Sequence, residues 1–269
     1  MIGCFEIPRK MGCRLFRMLA PRCRKLSYRA GMILFPRRML CSCPCCGMKF
    51  HSFVPGFFLD RPERYNPARY EQTRQDVICP CCGSLPRHRI LACWCEEHRE
   101  LLRDASILYF APEASMTGWL KRNGIPYTTA DLFRKADLKL NIQGTGLPDE
   151  SWDVVVANHV LELVDDFRIA LKEVYRILKP KGIFICSFPM DPQVEFLEED
   201  PSVRTDRERY IRYGQVDHRR VFGIRADKFL TEAGFMVEPI KGEDDPDEIL
   251  PVVGPADYDM NCLFCCRKR

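Results

Sequence analysis

The pentapeptide Cys-Pro-Cys-Cys-Gly occurs twice, at Cys43–Gly47 and again at Cys79–Gly83. Each copy offers a C-x2-C pair, Cys43/Cys46 and Cys79/Cys82, with Pro after the first thiol and Gly after the last. Two such knuckles supply the four sulfurs of a tetrahedral Zn²⁺ site. Four thiolates close the coordination sphere to water, so the metal predicted here is structural rather than catalytic. Spacing alone leaves Cys45 and Cys81 as alternative ligands within each Cys-Cys doublet. The 32 residues between the pairs make a long linker, but loop-closure entropy grows only slowly with length. Buried free thiols or a redox pair are the alternative reading, and repetition of the whole pentapeptide argues against it.

Further polar groups stand at the ends of short apolar runs. They are Ala111-Pro112-Glu113, Asp131, Asn141 and Asn158-His159. In an open parallel sheet, ligands sit beyond the carboxyl ends of the strands. An acid such as Asp131, ending a second strand, is placed to accept hydrogen bonds from the two hydroxyls of a ribose. A third group lies in the stretch from Gln193 to Gly223, which carries Glu199, Asp200, Tyr210, Tyr213, Gln215, Asp217 and His218. His218 beside Asp217 is the first candidate for a general base, with His159 second. A His218 that merely pins this segment by a hydrogen bond is the alternative.

These groups need elements to hold them. Ile107–Ala111, Tyr127–Ala130, Ala136–Ile142, Trp152–Ala157, Ile183–Phe188, Phe235–Ile240 and Cys262–Cys266 read as strands. Trp152–Ala157 is β-branched enough to be buried on both faces. Between them, Ala114–Arg122, Asp165–Leu178 and Ile224–Ala233 read as helices, after a first helical stretch from Arg87 to near Arg103. The clearest is Asp165–Leu178, where Phe167, Ala170, Leu171, Val174, Ile177 and Leu178 keep helical spacing. Strands alternating with crossover helices predict an α/β chain with a doubly wound sheet, mainly parallel with an antiparallel last strand. The organisation expected is a basic segment at 1–40, a zinc ribbon at 41–86 and the α/β domain at 87–269.

Composition narrows the class. The chain has 269 residues, 46% of them hydrophobic and 29% charged, which is globular usage. No run approaches the roughly 18 apolar residues needed to cross a membrane. Seven of the 16 cysteines lie between Cys41 and Cys82, and Cys186 stands alone between Cys95 and Cys262. A disulfide framework would spread them differently, so a reducing, cytoplasmic setting is expected. Residues 1–40 hold ten Lys/Arg against one acid, a local net charge of +9, while the whole chain has +4 and the remaining 229 residues therefore −5. The basicity belongs to one segment, unlike that of a globally basic nucleic-acid binder. That segment suits a poorly ordered tail, an over-extended start, a transit-like peptide or a peripheral membrane contact.

Read as blocks, Leu147–Val156, His159-Val160-Leu161-Glu162, Leu178–Gly182 and Ala233-Gly234-Phe235 resemble, in order and spacing, the motifs of class I (Rossmann-like) S-adenosylmethionine-dependent methyltransferases. A narrower resemblance covers residues 43–269. Bacterial methyltransferases with an N-terminal Cys4 zinc ribbon carry an Arg-His-Arg after the second knuckle, an Ala-Pro-Glu and a Gly-Gln-x-Asp-His motif. Here these are Arg87-His88-Arg89, Ala111-Pro112-Glu113 and Gly214–His218, the last continuing through Arg220 to Gly223. The Gly-rich loop usual after the first strand is replaced by Ala111–Ser115. Asn141 stands for a common Asp, Leu163 for a His and Lys181 for a Gly.

The resemblance implies S-adenosylmethionine as cofactor, with Ala111 allowing close approach and Glu113 meeting the amino-acid end. Asp131 would take the ribose, and Asn141, Asn158 and His159 would line the pocket. Methyl transfer is an in-line displacement, so the protein chiefly positions an acceptor, which the sequence does not identify. Two rivals follow. One is a ribosomal-RNA methyltransferase whose ribbon grips RNA, although the ribbon shows little basic character beyond Arg61, Arg64 and Arg69. The other is a non-catalytic binding protein that keeps the fold.

Overall fold

The computed structural model describes residues 41–50, 53, 78–191, 193–240 and 263–269. The basic segment 1–40, the arginines at 61, 64 and 69, and Cys262 lie outside the described residues.

At the N-terminal end, β1 (Cys41–Ser42) and β2 (Lys49–Phe50) form a two-stranded antiparallel hairpin around the first knuckle. The second knuckle leads straight into α1 (Pro86–Glu97), followed by α2 (Arg99–Arg103). Pro86 suits the first turn of α1, where a backbone N–H has no helical partner. The continuous helix expected from Arg87 to Arg103 is broken at His98, which adopts a non-helical conformation between the two.

The main sheet takes β3 (Ile107–Phe110), β4 (Thr128–Ala130), β5 (Trp152–Asn158), β6 (Leu178–Ser187), β10 (Phe235–Ile240) and β11 (Leu263–Lys268). Its order is β10-β11-β6-β5-β3-β4. The four strands from β6 to β4 are parallel, and β11 is inserted antiparallel between β6 and β10. This is a Rossmann-like fold with a mixed central sheet.

Strand residues alternate between two cores, as the period of two requires. Ile107, Tyr109, Val154, Val156, Ile183 and Ile185 face α1 and α3 (Ala114–Arg122). Leu108, Phe110, Val155, Ala157, Phe184 and Cys186 face α4 (Phe167–Ile177) and α6 (Asp227–Glu232). Each such side chain contributes roughly 1.5–3 kcal/mol on burial, and helices on both faces make the sheet doubly wound. Cys43, Cys45, Cys79, Phe50 and Phe53 belong to the first of these cores. The knuckles are thus packed on the domain and do not hang from it.

α4 begins where expected. Asp166 caps it by accepting from the backbone N–H of Arg168 and Ile169 at 2.8 and 3.4 Å, and its apolar stripe is buried. Two expectations need correction. Ala136–Ile142 forms no strand; it keeps two isolated bridges, Ala130 to Leu138 (parallel) and Asn141 to Gly144 (antiparallel). The cause is local: the Asp137 carboxylate accepts from the backbone N–H and hydroxyl of Thr129 at 2.9 and 2.6 Å, and the N–H is a donor a ladder would use. The helix expected over Ile224–Ala233 is shortened to α6. The N–H groups of Ile224 and Arg225 donate instead to the carbonyls of Val194 and Glu195, at 3.0 and 2.8 Å.

The stretch from Gln193 to Gly223 contributes most of a unit of its own. β7 (Met190–Asp191), β9 (Arg220–Gly223) and β8 (Leu197–Glu199) form a three-stranded sheet in that order. α5 (Asp206–Tyr213) stands between β8 and β9, closed at its start by a Thr205/Glu208 capping box.

Candidate active site

The four thiols singled out by spacing come together. The sulfurs of Cys43, Cys46, Cys79 and Cys82 all lie within 4.8 Å of one another. Cys43 Sγ is 3.8 Å from Cys82 Sγ, and Cys46 Sγ is 3.8 Å from Cys79 Sγ. A tetrahedron of 2.3 Å Zn–S bonds has an edge of about 3.8 Å, so the donor set fits that ion. Four thiolates this close therefore call for a cation between them. Gly47 and Gly83 turn each knuckle at φ 70° and 76°, where a side chain would be strained. Cys45 and Cys81, the alternatives within the doublets, fall outside the set of four.

Cys82 is five residues from Arg87. In the short link, the Ser84 hydroxyl is 3.2 Å from Cys43 Sγ, and the Ser84 carbonyl accepts from the buried Arg89 guanidinium at 3.0 Å. Arg89 also lies over the Phe53 ring, 4.0 Å from its centroid. The start of α1 is therefore held by the ribbon.

From that helix start, Arg87 and His88 reach Glu113 at the carboxyl end of β3. Glu113 Oε1 accepts from Arg87 Nε and Nη2, at 3.3 and 3.0 Å, and contacts His88 Nε2. Its Oε2 accepts from the Tyr109 hydroxyl at 3.2 Å and from Asn158 Nδ2 at 3.3 Å. Burial alone would raise the Glu113 carboxyl, but the His88 hydrogen bond and the Arg87 charge hold it down at about 2. His88 Nδ1 accepts from the Leu85 N–H at 2.9 Å, so Nε2 carries the proton given to Glu113. Burial lowers the His88 pKa and favours this neutral form.

The other strand ends complete the edge. Ala111 has φ 46° and His159 φ 52°, so the chain turns sharply after β3 and after β5. A left-handed alanine gives the first loop the shape a glycine loop would have, with one methyl in place of a hydrogen. Asp131, after β4, is 9% exposed, and its Oδ1 accepts from the N–H of Phe133 and Arg134 at 2.8 and 2.7 Å. Oδ2 makes no hydrogen bond to the described residues. Asn158 is buried and accepts from the Ser187 hydroxyl at 3.1 Å. Asn141 is exposed, and its side-chain oxygen accepts from the Gln143 N–H at 3.0 Å, which closes its own turn.

Beyond β5 the chain meets the inserted unit. His159 Nδ1 is 3.1 Å from Glu162 Oε1, and Glu162 is 1% exposed. The Arg219 N–H donates to the Glu162 carbonyl at 2.9 Å. Arg220, buried, donates to the carbonyls of Leu161, Val164 and Asp165 at 2.6–2.8 Å and pairs with Glu199. This clamp carries His218 in beside Glu162. His218 is buried with Nδ1 unpartnered, its other nitrogen meets the Tyr213 backbone, and Glu162 Oε2 is likewise buried without a partner among the described residues. Burial lowers the His218 pKa, against the charges of Glu162 and then Asp217. Asp217 itself is exposed. Glu162, Arg87, His88 and Arg220 were not singled out as site residues from the sequence. Their signal lay in the blocks that carry the resemblance: Arg87-His88-Arg89, His159–Glu162 and Gly214–Gly223, which contains Arg220.

Residues 112–186 match the family model described as "Methyltransferase domain". The match covers 75 of the chain's 269 residues. It runs from Pro112 through Asp131 and Asn158 to the end of β6, and so contains the edge just described. The demethylmenaquinone methyltransferase of Listeria monocytogenes serotype 4a (strain HCC23) is 29% identical over 129 residues, 46% of this chain and 48% of that protein. The chain thus spans about half the length of the curated relative it matches. Among solved structures, the YcgJ protein of Bacillus subtilis is similar at 16% identity and TM-score 0.44, covering 57% of this chain and 71% of that one. A 1,6-didemethyltoxoflavin-N1-methyltransferase from Burkholderia thailandensis, with bound S-adenosylhomocysteine, is similar at 13% identity and TM-score 0.44, over 100% and 93%.

Proposed function

We propose that this chain transfers a methyl group from S-adenosylmethionine to a small-molecule acceptor, and that Cys43, Cys46, Cys79 and Cys82 hold a structural Zn²⁺. The observation that carries the reading is the position of the methyltransferase-domain match, which spans Glu113, Asp131 and Asn158 along one edge of the parallel sheet. S-adenosylmethionine, when bound, supplies an already activated methyl on a sulfonium. Asp131 would hold the ribose hydroxyls, and the Ala111 and His159 turns would let the backbone approach the cofactor. Asn141, at the exposed turn after Leu138, borders the pocket.

His218 is the proton acceptor of this reading. Its neutral ring presents Nδ1, and Glu162, more than the exposed Asp217, supplies the negative charge that steadies the protonated form. A base is needed where the acceptor is a hydroxyl or an ammonium. The name of the Listeria relative, a demethylmenaquinone methyltransferase, supports a small acceptor over RNA.

Asp131→Ala tests the cofactor site. Losing a hydrogen bond to a charged group costs about 1.5–3 kcal/mol, so S-adenosylmethionine should bind about 10- to 150-fold more weakly by calorimetry. Unchanged affinity in a folded variant would put the ribose elsewhere.

A further inference from the structure

Glu113 sits where the amino-acid end of the cofactor is expected, yet five donor atoms from four side chains already converge on its two oxygens. A carboxylate has about four lone-pair positions. It is therefore poorly placed to take another donor, and better placed to hold the groups around it.

The group it holds in the most useful pose is Arg87. Two nitrogens of one guanidinium edge, Nε and Nη2, are spent on Glu113 Oε1. Nη1 makes no hydrogen bond to the described residues, and the side chain is 16% exposed, so the guanidinium is not fully enclosed. Arginine suits carboxylate recognition because its donors are planar and permanently charged. A guanidinium fixed at one edge loses less rotamer freedom when its other end binds. The fixing extends backward: Arg89, two residues on, ties the same helix start to the knuckle through Ser84 and Phe53.

Resting on the cofactor reading above, we propose that Arg87 binds the carboxylate of the cofactor's amino-acid end, with Glu113 as its positioning residue. The ribbon then serves the pocket by holding the helix that carries Arg87. His88 and Tyr109 complete the frame, keeping Glu113 from swinging toward the ligand.

Two probes separate this claim from the larger one. S-adenosylhomocysteine carries the amino-acid end; 5′-methylthioadenosine keeps the base, ribose and sulfur and lacks it. Measured by calorimetry on the metal-loaded full chain, Arg87→Met should weaken S-adenosylhomocysteine by about 10- to 150-fold, as for a lost charged hydrogen bond. Methylthioadenosine affinity should be unchanged. Arg87→Lys, which keeps the charge and the pairing with Glu113, should fall between wild type and Arg87→Met. Equal loss of both probes, or of neither, would overturn the role of Arg87 alone. Failure of the wild-type chain to bind either probe would overturn the cofactor reading and this inference with it.

Discussion

Cys46→Ser and Cys79→Ser are each expected to drop bound zinc from one ion per chain to nearly none and to unfold the ribbon. Structural zinc binding amounts to about 10–16 kcal/mol in small finger peptides at neutral pH, comparable with or above the roughly 5–15 kcal/mol that holds a whole domain together. No contact within a two-strand hairpin replaces it. The damage should travel, because Cys43, Cys79, Phe50 and Phe53 share a core with Ile90, Met116 and Trp119 on α1 and α3. Metal content by mass spectrometry and the melting temperature measure both effects. Cys81→Ser, outside the set of four, should retain the ion. Full metal content in both Cys46→Ser and Cys79→Ser would refute the ligand set.

The second large effect is expected at His218. His218→Ala should lower turnover by about 10²-fold or more, the scale of a lost acid–base group, with S-adenosylmethionine affinity kept within about threefold. The sign of the pH dependence follows from the depressed pKa. Burial lowers it from the ordinary value, so the neutral base persists below the usual histidine range of about 6.5. The acid limb of the kcat profile in the wild-type enzyme should therefore fall below that pH. A histidine that only pins the inserted unit predicts something different, a joint fall of affinity and turnover. An active variant with normal affinity removes both roles.

Sequence and structure agree best where the signal is local. β5 and α4 were legible because their burial follows from a run of valines and from a stripe at helical spacing. The cluster of Cys43, Cys46, Cys79 and Cys82 was legible from the repeated pentapeptide, although spacing left Cys45 and Cys81 as alternatives within the doublets. The edge residues Glu113, Asp131 and Asn158 were legible as strand ends, although the partners of Glu113 were not. Arg87 and His88 reach it from 26 and 25 residues away, and no periodic pattern reports such a pairing. Glu162 is hidden similarly, since its environment is made by Arg219 and Arg220 more than fifty residues on. The segment 136–142 misled for the opposite reason. Its alternation of polar and apolar residues is strand-like, but Asp137 satisfies Thr129 by its side chain and leaves no ladder to build.

Cofactor binding by the metal-loaded wild-type chain decides whether the methyltransferase site is functional. Calorimetric titration with S-adenosylhomocysteine should give one site per chain, with affinity reduced in Asp131→Ala. No heat and no saturable binding by a folded, zinc-replete chain would contradict it, and would leave a protein that keeps the methyltransferase fold without the activity.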